Sequence, residues 1–209
     1  MMKLVELKVN DYLNLLGSDV PAPGGGSVSA LAGAQGIALM NMVCDLTVGK
    51  AKYAEFEEIC ITAKVKGVKL FVELTEAVDK DTEAFNLVSA AYKLPKETEE
   101  DKLARSKAIG FAMLAATEVP FKTMELSFQG LQTVETLVGK INVNAVSDLG
   151  VGAINLMASV KGAWLNVLIN LPGVKDIGKK TFFEEKGTEI IKQAEQLERR
   201  IEIEIAKSL

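Results

Sequence analysis

Three groups of residues have types and spacing that suit chemistry. The first is Gly24-Gly25-Gly26-Ser27, set behind Pro21 and Pro23 in the densest Pro/Gly turn of the chain. It leads into an apolar helix. The N–H groups of a helix start, unshielded by side chains, together with the helix dipole, suit a carboxylate or a phosphate. The spacing matches neither a dinucleotide fingerprint nor a P-loop; the plain alternative is an ordinary helix entry. The second is Asp81, a carboxylate on the apolar stripe between Val78 and Phe85. Such a group needs a partner. It is either an ion-paired core residue or an acid whose pKa burial has raised. The third is a run at helical spacing: Asn144, Asp148, Gly152, Asn155, Ser159, Gly162, Asn166 and Asn170. Its steps of three and four put all of them on one face, and Asp148 is its only charge. Amides and small residues in this pattern read as a buried polar wall touching a ligand or another subunit. The alternative is a helix–helix seam with satisfied amides. Lys50 and Lys52 follow the first apolar helix and suit an acidic ligand tail, whereas Lys64, Lys66 and Lys69 read as a solvated face.

The chain has no histidine. That removes the commonest general base and a common metal ligand. Chemistry is left to carboxylates, lysines, tyrosines, amides and backbone groups.

Helices must position these groups. Periodicity predicts a short helix from Asn10 to Gly17, then helices over about 27–47, 53–94, 98–137, 143–170 and 181–207. The second long helix carries its apolar stripe through Phe56, Ile59, Ala63, Leu70, Phe71, Leu74, Ala77, Val78, Phe85 and Val88. Pro95 stops it, and Pro120 is expected to break or kink the next. The last is amphipathic, with Ile190, Ala194, Leu197, Ile201 and Ile205 on one face, and 176–180 reads as a short polar connection before it. No strand alternation and no internal repeat are visible. The expected fold is all-α: a single domain, 1–209, of long antiparallel helices.

The chain as a whole narrows the classes further. It has 209 residues, 48% of them hydrophobic and 25% charged, with a net charge of -4. That is ordinary for a globular protein and a poor basis for a basic nucleic-acid face. Two cysteines without a CxxC make neither a disulfide framework nor a zinc knuckle; Cys44 and Cys60 read as small core groups. The first nine residues lack the apolar core of a signal peptide. The uncharged stretch 28–44 and the apolar run 149–171 read as buried helices rather than membrane spans. A cytoplasmic protein without nucleic-acid or membrane partners is expected.

In combination these segments resemble one family. Pro23-Gly24-Gly25-Gly26-Ser27, a small-residue helix, and then Met42-Val43-Cys44-Asp45-Leu46-Thr47-Val48-Gly49-Lys50 with Tyr53 look like the opening of cyclodeaminase domains. Asp81-Thr82-Glu83-Ala84-Phe85 with Ala91-Tyr92-Lys93 is similar to the second segment. Ala116-Thr117-Glu118-Val119-Pro120 matches the middle helix in character. Asn144-Ala145-Val146-Ser147-Asp148 with Asn166-Val167-Leu168-Ile169-Asn170-Leu171 resembles the third segment. The family often has Gly-Asn-x-Asn before its Ser-Asp; here Ile141-Asn142-Val143-Asn144 keeps both Asn and replaces the Gly. The resemblance covers nearly the whole chain in the family's order.

The resemblance implies a homodimeric helical bundle with a folate site in a cleft near the dimer interface. It implies conversion of 5-formimidoyl-tetrahydrofolate into 5,10-methenyl-tetrahydrofolate and ammonia, or, in related stand-alone proteins, hydrolysis of the methenyl compound. The substrate is a tetrahydrofolate derivative, with or without a polyglutamate tail; no metal or redox cofactor is implied. Asp148 and Asp81 are then candidates for electrostatic stabiliser and acid/base, without assignment between them. Asn144, Asn166 and Asn170 are substrate-binding candidates, as are Gly24, Gly25, Gly26 and Ser27. Lys50 would hold the glutamate tail or donate a proton. The rival class is a non-enzymatic helical scaffold that uses the polar stripe for dimer contacts.

Overall fold

The computed structural model describes residues 3–209. Among these, six α-helices account for the architecture and no strand occurs: α1 (Val9–Leu16), α2 (Gly25–Asp45), α3 (Glu57–Tyr92), α4 (Glu99–Leu137), α5 (Val146–Asn170) and α6 (Ile177–Ala206). Two helix starts are written in capping residues. Thr98 Oγ1 accepts from Asp101 N–H at 3.0 Å while the Asp101 carboxylate accepts from Thr98 N–H at 3.1 Å, a reciprocal box opening α4. Asp176 Oδ1 accepts from Lys179 N–H at 3.0 Å, so α6 starts at Ile177. The polar connection expected over 176–180 is therefore mostly the first turn of that helix. α3 starts later than expected. Residues 51–56 wind as 3-10 helix interrupted at Tyr53, whose φ -118 and ψ 17 are not helical.

Helices α2, α3, α4 and α5 form a four-helix arrangement, with α6 packed on α4 and α5. α2 and α5 run antiparallel in close contact. Gly25 sits beside Asn166, Gly33 beside Ser159 and Gly36 beside Gly152. The approach is closest at Gly36, where a Cβ would lie 2.7 Å from the Gly152 carbonyl oxygen. The small residues of both helices thus serve a backbone-to-backbone seam. Beside Gly33, Ser127 Oγ of α4 and Ser159 Oγ of α5 lie 2.7 Å apart, a buried and mutually satisfied pair. Ile37, Met40, Leu74, Met124, Leu131 and Leu156 fill the centre and are fully buried. Each such side chain contributes about 1.5–3 kcal/mol. Cys44 and Cys60 are free and buried, as expected of small core groups. Burial pushes the Cys44 thiol up to about 12.

Two helical stretches, Gly25–Asp45 and Val143–Gly173, have the length and apolarity of membrane spans. Here they lie against each other, and their buried sides form the seam just described. Their outer sides carry almost no charge.

Pro120 does not break α4, which is helical from end to end across it. The proline lacks the N–H that would reach the Ala116 carbonyl one turn back. That carbonyl takes its hydrogen bond elsewhere: Asn170 Nδ2 donates to Ala116 O at 2.7 Å. Two aromatic positions of the expected α3 core stripe also differ. Phe71 is 39% and Phe85 38% exposed; Phe71 lines a groove beside Ala38 and Met42 of α2.

Candidate functional site

A cleft of about 420 Å³ opens where α2 begins and α5 ends. Gly24, Gly25 and Gly26 form one rim, Asp81 of α3 another, and Asn166 and Asn170 of α5 a third. Asp81 is held by the turn. Its Oδ2 accepts from Ser27 N–H at 2.8 Å and from Ser27 Oγ at 3.1 Å. Ser27 Oγ also lies 2.8 Å from Val78 O, so the serine is fixed between two turns of α3. Asp81 therefore occupies an N–H at the α2 start, the place where the sequence suggested a bound anion. Gly26 is required by this arrangement: a Cβ there would sit 1.9 Å from Asp81 Oδ1.

Burial raises the Asp81 pKa above the ordinary carboxylate range, and the two Ser27 hydrogen bonds pull the other way. Among the described residues no cation pairs with it: Lys80, its chain neighbour, bonds Glu76 at 2.7 Å instead. Of the two readings of this residue, the ion-paired core group does not occur among the described residues. Tyr12 of α1 packs beside the same spot against Ala30, Ala77 and Val78. Its hydroxyl is buried without a hydrogen-bond partner among the described residues. Burial, and then the nearby Asp81 charge, raise its pKa.

The amides face the carboxylate across the cleft. Asn166 Nδ2 is tied to Gly162 O at 2.8 Å, and Asn170 Nδ2 to Ala116 O. Both leave their side-chain oxygens available to a ligand. Phe85, Val88, Met113 and Ile169 supply apolar walls. Sequence reasoning missed these as site residues. Ile169, 75% exposed at the end of a helix, is a signal that shows only once the fold is known.

The remaining candidates lie elsewhere in the subunit. Asp148 is half-buried at the start of α5, eighteen residues before Asn166, which places it about 27 Å away along the helix. Asn144 and Lys50 are exposed near the same end. Within one subunit, Asp81 and Asp148 do not share a cleft. Their end of the bundle is built on Asn142, which is buried. Its N–H donates to Thr47 Oγ1 at 3.0 Å, and its Nδ2 donates to Leu46 O at 3.1 Å. Its Oδ1 accepts from Asn144 N–H at 3.1 Å. Tyr53 closes the network by accepting from Val143 N–H at 3.1 Å, a bond that lowers its pKa. The long polar stripe of α5 thus divides. Gly152, Ser159 and Gly162 are seam to α2, while the two ends are polar and open. Among the described residues, no three of His, Cys, Asp and Glu gather as metal ligands.

The comparisons with known proteins fall on one group. The family model for formiminotransferase-cyclodeaminase matches residues 8–201. A methenyltetrahydrofolate cyclohydrolase of Methylorubrum extorquens is 38% identical over 87% of this chain and 86% of its own length. The formimidoyltransferase-cyclodeaminase of Gallus gallus is 34% identical over 92% of the chain, which spans 36% of that longer protein. In structure, the chain resembles the formiminotetrahydrofolate cyclodeaminase of Thermotoga maritima with a TM-score of 0.79 at 25% identity, covering 99% of this chain and 98% of the other. With a family model matching most of its length and relatives above 30% identity, this chain belongs to the formiminotransferase-cyclodeaminase family.

Proposed function

We propose that the chain is a folate one-carbon enzyme that closes 5-formimidoyl-tetrahydrofolate to 5,10-methenyl-tetrahydrofolate with release of ammonia. One observation carries the reading: Asp81 is a partly buried carboxylate with a raised pKa and, among the described residues, no paired cation, facing two amides across a cleft with apolar walls. The reaction needs one proton moved. From the protonated formimidoyl group, N10 attacks the carbon, the N10 proton is removed, and the departing NH2 takes it to leave as ammonia, the positive charge staying on the methenyl product. A carboxylate whose pKa burial raises, held beside the reacting atoms, suits both halves of that transfer, first as base and then as acid. Asn166 and Asn170 offer acceptors to pterin N–H groups, and Phe85, Val88, Met113 and Ile169 offer apolar contact to its ring. The glycine turn admits the substrate edge close to Asp81.

A second reading adds water to the same carbon, hydrolysing 5,10-methenyl- to 10-formyl-tetrahydrofolate. The relative at 38% identity, matched over 86% of its length, favours it. Absorbance of methenyl-tetrahydrofolate, followed together with ammonia, separates the two. Stoichiometric appearance of both from 5-formimidoyl-tetrahydrofolate supports the first; accelerated loss of added methenyl compound alone supports the second. A scaffold protein would do neither and would show no folate-dependent thermal shift.

The rest of the reading follows from this chemistry. Residues 1–209 act as one cyclodeaminase-like domain. Neither reaction changes oxidation state, so no redox cofactor takes part, and Asp81 supplies the proton transfer without a metal. The protein works as a cytoplasmic homodimer, without nucleic acid or membrane as partner. Lys50, Asn144 and Asp148, at the other end of the subunit, act on the substrate through the homodimer: Lys50 on a polyglutamate tail or a proton, Asn144 in substrate binding and Asp148 as electrostatic stabiliser.

A further inference from the structure

Tyr12 has no part in the chemistry proposed above, yet its hydroxyl is the polar group that packing explains least. Among the described residues, four side-chain polar atoms are buried without a hydrogen-bond partner: Tyr12 Oη, Asn41 Oδ1, Thr75 Oγ1 and Arg105 Nε. Of these, only Tyr12 Oη belongs to a residue that is itself buried, at 7% exposed. The ring fills an apolar site made by Leu4, Ala30, Ala77 and Val78. A phenylalanine would fill that site equally well, without the cost of burying a hydroxyl that donates to nothing. Packing therefore accounts for the ring and leaves the oxygen to be explained.

The place of that oxygen is informative. Ala30 lies one turn after Ser27 on α2, and Val78 one turn before Asp81 on α3. The ring thus sits against the two turns that bring Ser27 and Asp81 together, close enough for the Asp81 charge to act on the hydroxyl. Both Ser27 bonds end on Asp81 Oδ2, and Oδ1 accepts from no group among the described residues. One unused donor and one unused acceptor are therefore neighbours, and a phenol hydrogen can rotate to suit. We propose that Tyr12 is a positioning residue for the reaction: its O–H turns to Asp81, across at most one water, and steadies the carboxylate while it is charged and acting as base. Tyr12 is not one of the cleft walls, so it acts through Asp81 and does not touch the substrate. A lysine in its place would hold Asp81 charged throughout. A neutral hydroxyl favours the charge without fixing it, which a group that serves as base and then as acid requires.

The other polar groups around Asp81 are engaged or turned to solvent. α2 carries no charge from Gly25 to Cys44, and α5 offers only the amides of Asn166 and Asn170. On α3, Asp79 accepts from Leu4 N–H at 2.6 Å and Lys80 bonds Glu76. On α4, Glu118 pairs with Lys179 at 3.0 Å. Lys3, Glu6, Asp11 and Glu83 are exposed.

This inference rests on the proposed folate chemistry, and the test keeps the two apart. Turnover of 5-formimidoyl-tetrahydrofolate is measured against pH for the unmodified protein, Tyr12→Phe, Asp81→Asn and the double variant. Tyr12→Phe keeps the ring, so it is expected to unfold at the same temperature or higher and to keep its KM. Without the donor the charged carboxylate is less favoured, so Asp81 holds its proton to a higher pH. The acid limb of the kcat profile should then move up by about one pH unit, with about tenfold less turnover below it and the same plateau above it. In the Asp81→Asn background the loss of the hydroxyl should cost nothing further. Coincident profiles for the unmodified protein and Tyr12→Phe overturn the inference, as does a raised KM with an unmoved limb. A double variant slower than Asp81→Asn overturns it too, since Tyr12 would then act without Asp81. An Asp81→Asn chain with full turnover removes the reading on which the inference rests.

Discussion

Asp81 shows how one side chain is tuned by opposed effects. Burial disfavours its charge, while Ser27 N–H and Oγ favour it, and burial wins. The sign has a consequence for stability. A carboxylate whose folded pKa is raised contributes most at low pH, and that contribution is lost as pH rises through the raised value. Asp81→Asn should therefore be at least as stable as the unmodified protein at pH 8, with the gap closing towards pH 4; thermal unfolding at the two pH values reads it. Gly26→Ala should do the reverse. Its methyl group would displace the Asp81 carboxylate, costing about 1–3 kcal/mol and most of the activity, measurable by denaturant unfolding and turnover. The sequence marked Asp81 as a carboxylate on an apolar stripe and Gly26 as part of a turn. It did not show that each explains the other, because they are 55 positions apart and meet only once α2 packs on α3. Tyr12 was invisible for the same reason.

At the scale of elements, Pro120 and Asn170 act as a pair. Proline leaves the Ala116 carbonyl without its helical donor, and Asn170 supplies one from α5 while directing its oxygen into the cleft. Pro120→Ala restores a helical donor in competition with Asn170. It is expected to stabilise the helix, proline being about 3 kcal/mol worse than alanine in a helix interior, and to raise KM as the amide loosens. Thermal unfolding and steady-state kinetics check the two effects separately. Helix count and order were legible from periodicity, and the α6 face was legible residue by residue. Of the break or kink expected at Pro120, the break does not occur, since a donor from another helix compensates for the missing N–H. The polar stripe of α5 was correctly seen as continuous in sequence. Its division into a central seam and two open ends depends on where α2 lies.

The whole molecule is a bundle whose most apolar helices, α2 and α5, bury one side and leave the other almost without charge, Lys161 being exposed on α5. A charge placed on that outer side should prevent association. Met42→Glu is expected to run as a monomer in sedimentation, with its far-ultraviolet spectrum unchanged and activity reduced at least tenfold. A dimer of normal affinity would show that copies meet elsewhere. The central claim concerns the chemistry of the cleft. It is tested most directly by the turnover of 5-formimidoyl-tetrahydrofolate by the unmodified protein and by Asp81→Asn, with methenyl absorbance and ammonia recorded together. The account predicts stoichiometric production of both by the unmodified protein and a loss of about 10²–10⁴-fold in the variant. Equal turnover by the two proteins would contradict it.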